Sequence, residues 1–291
     1  MRRVLYITNI EVPYRNRFFN ELAKSCDLTV LYERRVSKNR NLEWACSEKR
    51  KYKTVFLNGI RINKENTIDL SIFKYLFKGY DKIIIGCYNS PLQILLILIM
   101  KILKMNYCIN VDGEPFIEEN NIKTRIKKHI LKGAELYFVA GEESARNIRK
   151  NLSTDNVVTY YFSSLSKQEI LDNAKEYKNL NKNDYSIVIG QYFEYKGLDI
   201  ALEIAEKFPK EKFKFIGMGY RYNQFKKLVI SKELTNVEII PFLSKEELAL
   251  EYKKCKMLIL PSRKECWGLV INEAASYGTP IISTYGSRSS C

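Results

Sequence analysis

The chain has 291 residues, 46% hydrophobic and 28% charged, with a formal net charge of +15; that is more chain than one core usually organises, so two domains are expected. Its most apolar run, Leu92 to Leu103, contains Gln93 and Lys101 and falls well short of the ~20 residues needed to span a bilayer, which points to a buried helix. The basic excess raises the question of nucleic acid, but the 20 tyrosines and 14 phenylalanines fall mostly in strand and core-helix patterns, and no RNA- or DNA-binding motif is present, so nucleic acid is not an expected partner.

The chain opens with Arg2-Arg3 before a short strand, Val4–Thr8, which Asn9 and Glu11 interrupt, a pattern too short for a signal peptide. The loop from Asn9 to Phe19 follows that strand and leads into a helix over Arg17–Lys24, making Arg15 a candidate phosphate or acceptor contact. Further strands are expected at Leu28–Tyr32, Lys82–Gly86, Tyr107–Val111 and Leu136–Ala140, with a helix over Ser144–Asn151. These apolar runs are continuous rather than alternating, which implies a sheet covered on both faces and hence a doubly wound α/β domain over residues 1–165. Asn110-Val111-Asp112-Gly113-Glu114-Pro115 follows one of its strands, and Asp112 and Glu114 are candidate catalytic acids there; an ordinary Asp-Gly turn is the alternative. His129 is the chain's single histidine and is read as a surface residue.

The stretch from Ser163 to Asp184 is polar and without strand signals; it holds a helical pattern at Lys167–Tyr177 and is expected to join two domains. Strands resume at Ser186–Gly190, Lys214–Gly217, Val237–Ile240, Met257–Leu260 and Pro280–Ser283, giving a second α/β domain over 166–291. After the fourth of these come Pro261-Ser262, then Glu265-Cys266-Trp267-Gly268-Leu269-Val270-Ile271-Asn272-Glu273, which reads as a turn and a helix start. Free N–H groups and the positive end of the helix dipole favour a phosphate there, and two carboxylates could hold hydroxyls at both ends of an elongated polar ligand.

In this setting the sequence resembles the group 1 (family 4) glycosyltransferases, whose donor site carries a Glu-x7-Glu motif. The resemblance continues upstream through Ile187–Gly190, Tyr195-Lys196-Gly197-Leu198-Asp199, Phe215-Ile216-Gly217-Met218-Gly219 and Tyr252 with Cys255–Leu260. It covers residues 186–283 closely and the first half weakly. It implies the GT-B fold, two facing Rossmann-like domains across a cleft, and transfer of a sugar from a nucleotide-diphosphate donor to an acceptor with retention. Glu273 would then bind the donor ribose, Glu265 the transferred sugar and Lys196 the diphosphate, with Gly190, Gln191, Gly197, Gly268 and Leu269 completing the donor site. The family works without a metal, and this chain has no Asp-x-Asp pair, so neither metal nor other cofactor is expected. Where the family has an arginine ahead of the lysine, this chain has Gln191, an amide that can hydrogen-bond a phosphate but not neutralise it. Either Lys196 and the helix terminus suffice, or a neighbour such as Arg263 or Lys264 compensates, or donor affinity is reduced. The family also continues beyond the equivalent of Cys291, so the second domain reads as incomplete.

Residues 1–165 hold 28 Lys+Arg against 17 Asp+Glu, net +11, and residues 166–291 hold 20 against 16, net +4. Ile122, Ile126 and Ile130 lie four apart among Lys123, Arg125, Lys127, Lys128 and Lys132, a basic amphipathic helix suited to an anionic membrane surface carrying a lipid-linked acceptor, or to plain solvation. Seven unpaired-looking cysteines fit a reducing cytoplasm, with peripheral attachment at the inner face of the membrane. Three readings stay open: a retaining glycosyltransferase of cell-surface polysaccharide or glycolipid synthesis, an inactive relative that binds a nucleotide or partner, and another two-Rossmann enzyme such as a sugar-nucleotide epimerase.

Overall fold

The computed structural model describes residues 1–34, 49–61, 67–113, 115–116, 121–161, 163–177, 183–265 and 267–284. They divide into two units, Met1–Tyr161 and Phe162–Cys291. The division falls four residues before the expected boundary at 165.

In the first unit the elements run β1 Arg3–Ile10, α1 Pro13–Leu22, β2 Asp27–Arg34, β3 Lys53–Phe56, a small hairpin of β4 Ile60–Arg61 and β5 Thr67–Ile68, and α2 Phe73–Leu76. They continue with β6 Lys82–Ile85, α3 Pro91–Ile102, β7 Cys108–Val111, α4 Ile122–Leu131, β8 Leu136–Ala140, α5 Glu142–Leu152 and β9 Val157–Tyr160. The described residues form one seven-stranded sheet in the order β3-β2-β1-β6-β7-β8-β9, every pairing parallel. Continuous apolar strands are what this demands: along β1, Leu5 and Ile7 pack in one cluster with Leu92, Leu96 and Ile97 of α3, whereas Val4 and Tyr6 pack in another with Phe19 of α1. Helices cover both faces, so no residue of a central strand can be polar without a partner. The apolar run at Leu92 is the buried helix α3, with Ser90 as its N-cap and Pro91 at its first position. α1 likewise begins at Pro13, earlier than Arg17, because proline's fixed φ suits a first helical residue.

The second unit contains α6 Lys167–Tyr177, β10 Tyr185–Ile189, α7 Leu198–Lys207, β11 Lys212–Ile216, α8 Tyr222–Ser231, β12 Val237–Ile240, α9 Lys245–Lys254, β13 Met257–Leu260, α10 Leu269–Ser276 and β14 Ile281–Ser283. Its parallel sheet runs β12-β11-β10-β13-β14. Here the reading of a connector over residues 163–184 is corrected for residues 163–177. Ser164 Oγ donates to Glu273 at 2.8 Å and Asn173 Nδ2 to Ser276 Oγ at 2.9 Å, so this polar stretch is fastened to α10 as part of the second unit.

Each sheet reverses its strand order once, between β1 and β6 in the first unit and between β10 and β13 in the second. At such a switch point the two helices leave on opposite faces, opening a crevice beyond the strand ends where ligands of open α/β sheets bind. Among the described residues no helix is long and apolar enough to cross a membrane.

Candidate active site

The second switch point brings together residues 69 positions apart. β10 ends at Ile189, and a loop with a 3-10 turn, Glu194–Lys196, carries the chain to α7. Gly197 makes the passage possible: its φ is +66°, and a Cβ there would lie 2.0 Å from the carbonyl oxygen of Pro261. Any other residue would be strained and would push the loop after β10 off the loop after β13. Because the two loops touch, Lys196 Nζ forms an ion pair with Glu265, both side chains being largely buried at 18% and 11% exposure. Ser262 Oγ donates to the same carboxylate at 3.4 Å. The lysine expected to meet a diphosphate and the glutamate expected to meet a sugar thus hold one another.

Glu273 lies on α10, the helix that Gly268 starts from a left-handed conformation at φ +81°. Its carboxylate accepts from Ser164 Oγ at 2.8 Å and from Tyr252 Oη at 2.9 Å. Burial pushes its pKa above the ordinary carboxylate value, and the two hydroxyl donors oppose that rise. Tyr252 is itself buried on α9. Trp267 Nε1 donates to Asn272 at 3.2 Å, tying the turn to the helix. Leu269 is the first residue of α10, and Gly190 and Gln191 follow β10, Gln191 exposed to solvent.

The proposed substitutes for the family's arginine fare differently. Arg263 is committed elsewhere: its guanidinium grips Asp199 at 2.7 and 2.6 Å and donates to the carbonyl of Glu194 at 3.0 Å. It therefore staples the β13 loop to α7. Lys264 is exposed, with its backbone N–H on Tyr195 O at 3.1 Å.

In the first unit, Arg15 and Asp112 come together although 97 positions separate them. Arg15 is 8% exposed; it donates to Tyr6 Oη at 2.9 Å and forms an ion pair with Asp112. Burial works against the guanidinium's charge, but the neighbouring Tyr6, Tyr14 and Tyr160 outweigh it and its pKa is raised. Asp112 also accepts from Asn110 Nδ2 at 2.8 Å and Tyr160 Oη at 2.9 Å, and burial pushes the Tyr160 phenol up to about 12. Glu114 lies outside the described residues. Nearby, Arg50 makes a bidentate pair with Glu11 at 2.6 and 2.8 Å.

Tyr6, Asn110, Tyr160 and Ser164 were not singled out by the sequence. The first three lie within strands, Tyr6 in β1, Asn110 in β7 and Tyr160 at the end of β9, and look like core residues; their polar tips matter because they meet Arg15 and Asp112. Ser164 lies in a polar stretch with no periodicity to mark it.

Residues 170–289 match the family model "Glycosyl transferases group 1". An uncharacterized glycosyltransferase of Methanocaldococcus jannaschii is 26% identical over 247 residues, 81% of this chain and 67% of that protein. The O-antigen chain mannosyltransferase C of Escherichia coli is 22% identical over 142 residues, 48% of this chain and 38% of its own length. The matched stretch spans 53% of a second uncharacterized glycosyltransferase, from Haemophilus influenzae. Among solved structures, sucrose-phosphate synthase of Thermosynechococcus elongatus superposes with a TM-score of 0.72 at 15% identity, covering 98% of this chain and 82% of that one. Anabaena HepE in complex with UDP-glucose gives 0.70 at 12% identity, covering 100% and 82%. Two Rossmann-like units with parallel sheets and these likenesses define the GT-B fold class. Within it, the segment that matches the group 1 glycosyl transferase model lies in the second unit.

Proposed function

We propose that the protein transfers a sugar from a nucleoside-diphosphate sugar to an acceptor with retention at the anomeric carbon, in the synthesis of a cell-surface polysaccharide or glycolipid. The observation that carries this reading is the Lys196–Glu265 pair at the second switch point, inside the matched segment and in the unit whose helix α10 bears Glu273. When the C1–oxygen bond to the diphosphate breaks, negative charge grows on the phosphate, and a cation with free N–H donors lowers the barrier. Lys196 supplies the cation by exchanging the Glu265 carboxylate for phosphate, and the start of α10 supplies N–H groups. Glu265, released by that exchange, accepts hydroxyls of the transferred sugar, and Glu273 accepts those of the ribose. The acceptor oxygen bonds to C1 on the face the diphosphate leaves, and its proton passes to a leaving phosphate oxygen. No metal is needed in this scheme, and Lys196 does the work one would do.

Asp112, held by Arg15, is assigned to the acceptor side. The names of neighbours support the reading: HepE is solved with UDP and UDP-glucose, and one relative is an O-antigen mannosyltransferase. The basic helix α4 supports peripheral attachment at the cytoplasmic face of a membrane. Gln191 in place of an arginine favours a second reading, in which the chain binds nucleotide without transferring sugar. Calorimetry with UDP and GDP, followed by a nucleotide-release assay over a panel of nucleotide sugars, tests both. Binding with release supports transfer, binding without release supports the second reading, and no binding overturns both.

A further inference from the structure

The first unit has a groove of about 280 Å³ lined by Tyr88, Asn89, Ile94, Lys123, Ile126, Lys127, Ile130 and Leu131. It lies between the start of α3 and one face of α4, and Lys101 Nζ of α3 secures the two helices by donating to the carbonyls of His129 at 2.6 Å and Ile130 at 3.2 Å. The floor is apolar and two lysines stand in its wall.

The apolar surface does not stop at the groove. Residues four apart share a helix face, so Ile122, Ile126 and Ile130 form one stripe on α4, and Ile94, Leu98 and Ile102 a second on α3. Ile122 is 75% exposed, Ile126 55% and Ile102 78%. Helix α4 carries Lys123, Arg125, Lys127 and Lys128, with Lys132 next, and contains no acid. Lys127 Nζ stands 5.0 Å from the Tyr88 ring centroid, which places its ammonium over the groove wall. Isoleucines facing water among this many cations are poorly explained by solvation, because a solvated face is polar throughout.

We propose that this groove seats the phosphate-bearing end of a single-chain anionic lipid, with the chain along Ile94, Ile126 and Ile130 and the phosphate on Lys123 and Lys127. The inference rests on the proposed function, since it gives that reading's glycolipid acceptor a chemical class, an alkyl or prenyl phosphate. Charge complementarity selects the head and the apolar floor selects the chain. A nucleic acid would use the lysines and leave the groove and both isoleucine stripes in water, so it fits less of what is present.

The test uses decyl phosphate below its aggregation concentration, with inorganic phosphate as the head alone and decyl maltoside as an uncharged decyl chain, titrated onto the whole protein. Decyl phosphate is expected to bind one to one and at least tenfold more tightly than either control. Ile126→Glu, and separately Lys123→Gln with Lys127→Gln, should each weaken it at least tenfold, while Arg125→Gln with Lys132→Gln, an equal loss of charge outside the groove, should leave it within twofold. The substituted side chains lie on exposed or partly exposed helix positions, and unchanged melting temperatures confirm folding. Equal binding of decyl phosphate and inorganic phosphate, equal losses in the two double variants, or displacement of decyl phosphate by a short oligonucleotide at the same affinity would overturn the proposal. UDP affinity measured on the same samples separates the two readings: UDP bound and decyl phosphate not bound defeats the groove alone, and the reverse defeats the nucleotide site alone.

Discussion

Each unit places a cation and a carboxylate together at strand ends, and the two pairs differ in how they are held. In the first unit Arg15 lies between Tyr6 and Asp112, and Asp112 collects further bonds from Asn110 and Tyr160. In the second, Lys196 meets Glu265 through a single ammonium, and the hydroxyl of Ser262 stands off at 3.4 Å. A guanidinium in a fork of fixed bonds is a fastening; an ammonium is a point charge on a flexible stem and can change partner. The first pair is suited to hold an acid still, and the second to open when a phosphate arrives.

That contrast can be broken by mutation. Arg15→Ala should have the largest effect on stability, because it strands the Tyr6 hydroxyl and leaves Asp112 without its cation. Removing one partner of a buried pair costs about 3–5 kcal/mol; since Asp112 is 42% exposed, a loss of about 2–3 kcal/mol is expected by denaturant titration. Lys196→Ala should act mainly on binding: a hydrogen bond to a charged group contributes about 1.5–3 kcal/mol, so nucleoside diphosphate affinity should fall roughly 10- to 100-fold, read by calorimetry. If Arg15→Ala left stability unchanged while Lys196→Ala unfolded the protein, the contrast would be inverted.

A smaller effect is expected on pH dependence. Glu273 has a folded pKa raised above its unfolded value by burial, so its contribution to stability is fully present below the unfolded pKa and is lost as pH rises through the folded one. Ser164 and Tyr252 donate to it and oppose the rise. Tyr252→Phe should therefore move the acid limb of nucleotide affinity to higher pH, because ribose hydroxyls need an ionised acceptor. An unshifted limb in that variant would mean that Tyr252 fills space only. The smallest effect expected is none: transfer measured in chelator should match transfer in its absence. Loss of activity restored by Mg²⁺ would show that Lys196 is not sufficient for the diphosphate.

The central strands were legible because a parallel sheet with helices on both faces needs uninterrupted apolar runs, as Val4-Leu5-Tyr6-Ile7 and Met257-Leu258-Ile259-Leu260 supply. Of the strands that escaped, Lys53–Phe56 and Val157–Tyr160 are the two edges of the first sheet, half exposed and free to be polar. In the candidate site, Glu265 and Glu273 stood out by their spacing along the chain, and Lys196 by the resemblance of Tyr195–Asp199 to the family's loop and helix start. Their partners could not. That Arg15 lies against Asp112, or that Ser164 reaches Glu273, is a consequence of which strand ends the topology brings together, and residues near 163 carry no periodicity that would separate a fastened segment from a loose one. Arg263 shows the converse: its charge was legible, but its capture by Asp199 was not.

The account's central claim is that the second switch point is a nucleotide-sugar site in which Glu273 holds the nucleotide and Glu265 the group transferred. The most direct measurement is nucleoside diphosphate affinity, with turnover, in wild type, Glu273→Ala and Glu265→Ala. The account predicts at least a tenfold loss of affinity in Glu273→Ala, and in Glu265→Ala a fall in kcat much larger than any change in nucleotide affinity. Equal nucleotide affinity in wild type and Glu273→Ala, at unchanged thermal midpoints, would contradict it.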